Sequence, residues 1–367
     1  MWRRMVCGWM AVVAPAMAAR AAVSVQGTWW ANEALPAAVA RWVTDPPAAM
    51  DFATGDVRFD AEWRMGTWQM AALGYAGLIV AHPEARARWE GTLVRSVDLL
   101  LDPASRAFDT AAWGSDAFDH LDDPAPARAG LGYLALALGA ERLVLPAGPH
   151  AAQHDRLCGS LLARVRAAAG RPLPTYPGEA YPVDEVMVLS ALALWARSTE
   201  QPVDPAVAAG LARWEARSLT ASGLVVQAVD PDTGAPRDAA RGSGSALAAV
   251  ALAWGDPARA ARLGAAVRDQ LGDAVLGFGV VREYPRGHGG AGDIDSGPLV
   301  GPWSISATGF GIGAARATGD RAWGRQLGAT AWVWGLPTAR GGYASGGALG
   351  TAILFAMAHT PMPTVAQ

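Results

Sequence analysis

Two kinds of helical segment alternate along this chain, and the alternation restricts the fold more than any motif does. One kind has almost no solvated face: "GTWQMAALGYAGLIVA", "GLGYLALALGA", "SALAAVALAW" and "ATGFGIGAARATG" are built of small and apolar residues with hardly a charge. A helix that is apolar all round has to be covered on all sides. The other kind, such as "PEARARWEGTLVRSVDLLL" and "PARAARLGAAVRDQL", carries arginines and acids on one face and apolar residues on the other, the pattern of a helix with one side in water.

Twelve segments are predicted, at residues 33–43, 60–81, 83–101, 126–145, 151–169, 182–199, 205–219, 242–254, 257–271, 301–318, 320–334 and 347–358. The even-numbered ones are the covered kind, so they form an inner layer inside the odd-numbered ones. Caps or prolines mark several starts, as in Asp204-Pro205, Asp256-Pro257 and Gly319-Asp320, where a side-chain oxygen takes free backbone N–H groups or a ring pre-sets the first turn. Short polar turns in "AHPEARARW", "WGDPARAARL" and "TGDRAWGRQL" lead from inner to outer segments, while the outer-to-inner connections are long. That period predicts an all-α fold, an (α/α)6 toroid of six hairpins with its long loops at one mouth. Minor β-hairpins are expected in the loops, the best strand being 224–229, closed by Asp230-Pro231-Asp232-Thr233-Gly234.

Composition sets the outer limits. With 51% hydrophobic and 17% charged residues the chain can bury a large core. A net charge of -3 supplies no basic field, so nucleic acid is excluded as a partner. Arg3 and Arg4, the apolar run Val6 to Met17 and the small residues Ala16 and Ala18 have the layout of an export signal over residues 1–18. The expectation is an exported protein, periplasmic or secreted, with one domain over 19–360, a flexible tail at 361–367 and no membrane span after cleavage. Cys158 would then be the only cysteine, which rules out an internal disulfide.

The long loops and the first turns of the inner segments hold most of the unusual polar residues. Asp56, Asp60, Glu62, Trp63 and Arg64 stand around the second start, Trp113, Asp116, Asp119, His120, Asp122 and Asp123 before the fourth. Tyr176, Glu179, Tyr181, Asp184 and Glu185 surround the sixth, Arg237, Asp238 and Arg241 precede the eighth, Glu283, Tyr284, His288, Asp293, Asp295 and Trp303 the tenth, and Arg340 and Tyr343 the twelfth. Carboxylates beside aromatic rings suit a neutral hydroxylated small molecule or oligosaccharide, because rings stack on it and acids accept its hydroxyl protons. Two carboxyls in unlike environments would supply a general acid and a general base. The candidates are Glu179 or Asp184 for one role and Asp293 or Asp295 for the other. Trp63, Trp113, Asp116, Tyr176, Tyr181, Glu283, Tyr284, Trp303 and Tyr343 are the candidate ligand contacts.

Each has a plainer reading. Asp184 and Glu185 lie in a helix first turn, where carboxylates offset the macrodipole, and the acids of 116–123 fit a solvated loop. The run Asp293-Ile294-Asp295 opens like a calcium loop but lacks an acid at position five and has Ser304 at position twelve, so neither metal nor cofactor is expected. "GSGSALA" follows no strand of the kind a nucleophile elbow needs, and the glycines 309, 311 and 313 fit close helix packing better than a dinucleotide loop.

Taken together, "EWRMGTWQMAALGYAGLIVAHPEARARW", "WGSDAFDHLDDPAPARAGLGYLALALG", "YPGEAYPVDEVMVLSALALW", "DPDTGAPRDAARGSGSALAAVALAWGDPA" and "GDIDSGPLVGPWSISATGFGIGAARATGD" resemble the linalool dehydratase-isomerase family, α/α-barrel proteins related in shape to six-hairpin glycosidases. The stretches cover most of 60–320. The resemblance implies an α/α barrel with its cavity at the loop end, an exported protein, and lyase or isomerase chemistry. Where that family carries two cysteines around the sixth start, this chain has Tyr176 and Glu185, and the family's histidine falls at Gly130 or Leu131. Six-hairpin glycoside hydrolysis and ligand binding without chemistry are the alternatives.

Overall fold

The computed structural model describes residues 34–47, 52, 54–123 and 128–363. The expected export signal lies outside the described residues, as do the start of the fourth segment and the last four residues of the tail. Among the described residues there are thirteen α-helices: α1 Ala34–Thr44, α2 Val57–Ala81, α3 Arg86–Leu101, α4 Ala107–Trp113, α5 Leu131–Val144, α6 Ala151–Ala168, α7 Pro182–Ser198, α8 Pro205–Ser218, α9 Gly242–Gly255, α10 Pro257–Leu271, α11 Ile305–Thr318, α12 Arg321–Gly335 and α13 Gly347–Ala358. The strands form two small antiparallel pairs, β1 Gly272–Val275 with β2 Phe278–Val281, and β3 Leu299–Val300 with β4 Trp303–Ser304. The fold is all-α with these two additions. No helix among the described residues is long and apolar enough to cross a membrane.

The starts follow local chemistry. Asp204 accepts from Ala206 N at the head of α8, Asp256 from Arg259 N at α10 and Asp320 from Trp323 N at α12. Segment 301–318 is shorter than its apolar pattern suggests. Gly301 turns the chain at φ 63°, Trp303–Ser304 pair back on Leu299–Val300, and the helix begins only where Ser304 Oγ accepts from Ala307 N. Likewise Pro83–Ala85 is a 3-10 turn ahead of α3 rather than its first α-turn, and 224–229 forms isolated bridges instead of a continuous strand. Helix α4 and the β1–β2 hairpin carry no strong sequence signal. Seven residues are too few for a period, and the hairpin turns on Leu276 and Gly277, at φ 54° and 85°, of which only the glycine is a residue that announces such a turn.

The apolar helices behave as their composition requires. In α9 every residue from Ala248 to Trp254 is buried, and α7 is buried from Asp184 through Leu194. Helices α2, α5, α7, α9, α11 and α13 contact one another in chain order, and α13 returns to α2. Their approach is close at glycines. A methyl group at Gly77 of α2 would overlap the His359 carbonyl oxygen beyond the end of α13, and one at Gly132 of α5 would lie 2.5 Å from the Val188 nitrogen of α7. The amphipathic helices cover this set from outside: α3 lies on α2, α6 on α5, α8 on α7, α10 on α9 and α11, and α12 on α11. Tyr75, fully buried in α2, ties α1 to the same core by donating its hydroxyl to the Pro36 carbonyl at 2.7 Å.

Candidate functional site

The hairpin before α7 is the best-defined part of the site. Thr175 and Glu179 pair across the turn, Thr175 N donating to Glu179 O at 2.9 Å, with Gly178 at φ 81° making the reversal. Trp113 Nε1 donates to the Thr175 carbonyl at 3.2 Å, which fixes the hairpin to α4. Asp184 then sits in the first turn of α7 but does not cap it. Its Oδ1 accepts from the Tyr133 hydroxyl of α5 at 2.7 Å and its Oδ2 from Thr175 Oγ1 at 2.7 Å. Both oxygens are occupied and the side chain is 8% exposed. Burial raises the Asp184 pKa, and the two hydroxyl bonds pull it part of the way back.

The loop before α11 separates its two acids. Asp293 organises its own turn: Oδ1 accepts from the backbone nitrogens of Asp295 (3.1 Å) and Ser296 (2.9 Å), and Oδ2 pairs with Arg241. Ser304 Oγ and Ser306 N both donate to the Ser296 carbonyl, so the turn is fastened to the head of α11. Asp295 is left with one long bond, from Gln227 Nε2 at 3.3 Å. It is exposed. Partial burial of its carboxyl, with the Asp293 and Asp184 charges and against Arg241, pushes its pKa up to about 6.

Glu62, in the second turn of α2, is the third carboxyl of the cluster. Burial, followed by the charges of Asp295 and Asp184, pushes it up to about 8, and the Tyr176 hydroxyl moderates the rise. Tyr133 and Tyr176 are both held well above the ordinary tyrosine value, first by burial and then by these same carboxylates. Three acids from α2, α7 and the loop before α11 therefore share one region with two tyrosines. Helix α9, buried elsewhere short of its last residue, is partly accessible at Gly244 and Leu247, one helical turn apart, and α13 at Leu349 and Ile353. A methyl at Gly244 would touch Gln227, and one at Gly66 would touch Leu349.

The remaining sequence candidates are placed as follows. Trp63 lies beside Glu62, partly accessible. Glu179 is exposed on the outside of its turn and accepts from the Tyr181 hydroxyl at 2.8 Å. Asp116 has both oxygens on Arg106; burial opposes its ionisation, but those bonds and Phe118 N outweigh it and its pKa is lowered. Glu283 is fully buried, bound to Ser243 N and Oγ at the head of α9, with a pKa pushed by burial to about 7. Tyr284 lies under the Arg241 guanidinium and donates to the Ala291 carbonyl at 2.9 Å. Trp303 donates to Asp273, which also binds Arg282 and Arg286. Tyr343 is 4% exposed against Gly335. Glu185, next to Asp184 in α7, is buried in an ion pair with Arg217.

The sequence-derived set therefore divides. Asp184, Asp295 and Tyr176 converge, while Asp116, Glu283 and Trp303 hold loops and helix ends together. Sequence reasoning passed over Glu62 as an acid among five polar residues at one helix start. The available signal was its spacing, since Glu62, Gly66 and Gln69 fall on one stripe of an otherwise apolar helix. Among the described residues no group of three His, Cys, Asp or Glu side chains is arranged to hold a metal ion. No protein-family model matches the chain, and no curated protein matches it.

Proposed function

We propose that this protein is an exported (α/α)6-barrel enzyme of the linalool dehydratase-isomerase type, a lyase or isomerase that uses carboxyl acid–base chemistry on a neutral hydroxylated small molecule. The observation that carries the reading is the meeting of Glu62, Asp184 and Asp295 from three separate elements, two of them with pKa values brought near neutrality by burial and mutual repulsion. Carboxyls of this kind can give and take protons at physiological pH. The cyclic order of contacts among the six apolar helices supports the barrel. Leu349, which a methyl at Gly66 on the Glu62 stripe would touch, is partly accessible and suits the hydrocarbon part of a ligand whose hydroxyl meets the acids.

Hydrolysis of a glycoside would use the same two kinds of group, and the Tyr176 ring near Glu62 favours it as a second reading. Turnover of terpenols against aryl glycosides and oligosaccharides separates the two. The purified protein is expected to convert a member of one panel, and Asp184→Asn and Asp295→Asn to slow it at least tenfold. Undiminished turnover by both variants sinks the acid–base assignment.

A further inference from the structure

Three carboxyls share the site, but their surroundings are unlike. Asp184 is spent on structure, because each of its oxygens already accepts a short hydroxyl bond and the side chain is almost wholly enclosed. Asp295 is open to solvent and held only by Gln227 at 3.3 Å. Glu62 projects from the rigid second turn of α2 and is partly accessible, with Asp295, Asp184 and Tyr176 as its charged and titratable neighbours. A second feature marks the same wall as one built to receive a ligand. Two turns further along the Glu62 stripe, Gln69 is fully buried and neither its amide oxygen nor its nitrogen bonds to protein, although buried amides are nearly always paired.

We propose that Glu62 is the proton donor of the site, Asp295 its proton acceptor, and Asp184 a positioning residue whose fixed charge keeps the Glu62 proton in place. The assignment rests on the acid–base reading above. In the reaction the Glu62 carboxyl gives its proton to the departing substrate oxygen as the C–O bond breaks and the bonding pair moves to that oxygen. Asp295 takes one proton, from the adjacent carbon in an elimination or from the attacking water in a hydrolysis. One proton is given and one taken, and transfer from Asp295 back to Glu62 through solvent restores both groups. The charged and titratable groups around Glu62 are Asp184, Asp295, Tyr133 and Tyr176, with Asp293 and Arg241 behind Asp295.

Two measurements test the roles. The first is infrared titration of the ligand-free protein between pH 5 and 10, comparing wild type with Glu62→Gln, Glu62→Asp, Asp184→Asn and Asp295→Asn. In a common Glu283→Gln background, which removes the other buried carboxyl raised to about 7, the protonated-carboxyl component that titrates near pH 8 is expected to vanish in Glu62→Gln, to survive in Asp295→Asn, and to titrate at lower pH in Asp184→Asn. The second is the pH profile of turnover on the terpenol and glycoside panels. Glu62→Gln is expected to lose about 100-fold or more, Glu62→Asp to retain part of the rate, and Asp184→Asn to draw the alkaline limb to lower pH. A component titrating near pH 8 that survives in Glu62→Gln, or wild-type turnover by that variant, overturns the proposal while leaving acid–base chemistry standing. An absence of turnover on every panel overturns the functional reading and the donor role with it, whatever the infrared band shows.

Discussion

His150 offers a direct measure of how the outer and inner helices are locked together. It is the N-cap residue of α6, and its Nδ1 lies 3.0 Å from both Glu141 oxygens on α5 while its Nε2 lies 3.1 Å from Asp98 Oδ1 on α3. The Glu141 bonds, working against burial and joined by Asp98, raise the imidazole pKa. Glu141 is 2% exposed, so His150→Ala leaves a carboxylate enclosed without its counter-charge. Breaking such a pair costs ~3 to 5 kcal/mol, and the half-exposed Asp98 places this case near the lower end, at about 3 kcal/mol. With an unfolding entropy of about 0.7 kcal/mol/K for a chain of this length, the midpoint falls by ~4 °C. The pH dependence has a definite sign. Because the fold raises the pKa above the unfolded value of about 6.5, the charged form's contribution is complete below that pH and disappears as pH rises through the folded value. Urea unfolding of wild type and His150→Ala at pH 6 and pH 9 should therefore show a larger gap at pH 6. A gap below about 1 kcal/mol at pH 6, or one equal at both pH values, refutes the reasoning, since neither a loaded Glu141 nor a charged His150 would then exist.

Three further changes probe other parts of the molecule. Gly77→Ala sets a methyl against the His359 carbonyl, backbone with no flexible side chain to yield; we expect a net loss of about 2 kcal/mol in chemical denaturation despite alanine's better helix propensity. Leu276→Asn places a residue that tolerates the left-handed region at φ 54° on an exposed hairpin turn, and should add about 1 kcal/mol of stability, read as a higher urea midpoint. Glu283, raised by burial to about 7, stabilises the fold fully below its unfolded value near 4.3 and loses that contribution as pH rises through 7. Glu283→Gln, which can still accept from Ser243, should accordingly flatten the fall in thermal midpoint between pH 5 and pH 8, and an unchanged slope would exclude the buried carboxyl as its source.

The fold was legible in the sequence where a helix lacked a polar face. For a run such as "SALAAVALAW" no arrangement is stable except complete cover, and α9 is buried from Ala248 to Trp254. Starts governed by one side chain were equally readable, as at Asp204 and Asp256. Boundaries failed where tertiary contacts compete with propensity. Residues 301–304 continue an apolar helical pattern, but pairing with Leu299–Val300 and the bonds that fasten Ser304 and Ser306 to the Ser296 carbonyl offer those backbone groups another partner.

The site was legible as a region and not as a set of roles, because a carboxylate's role is decided by what occupies its oxygens. Asp293 and Asp295 are two residues apart in one loop and are indistinguishable by composition. Asp293 is consumed by backbone nitrogens of its own turn and by Arg241, while Asp295 is held by a single long bond. The same contrast separates Asp184, closed off by Tyr133 and Thr175, from Glu62. Tyr133 and Arg241, which decide the outcome, lie 51 and 52 residues away in sequence from the acids they bind, and no local pattern carries that information. What the sequence could carry is the exception to a rule. In an α2 that must be covered on all sides, Glu62 and Gln69 on one stripe are polar groups without a structural reason to be there, and such a stripe is where a ligand-facing wall should be sought first.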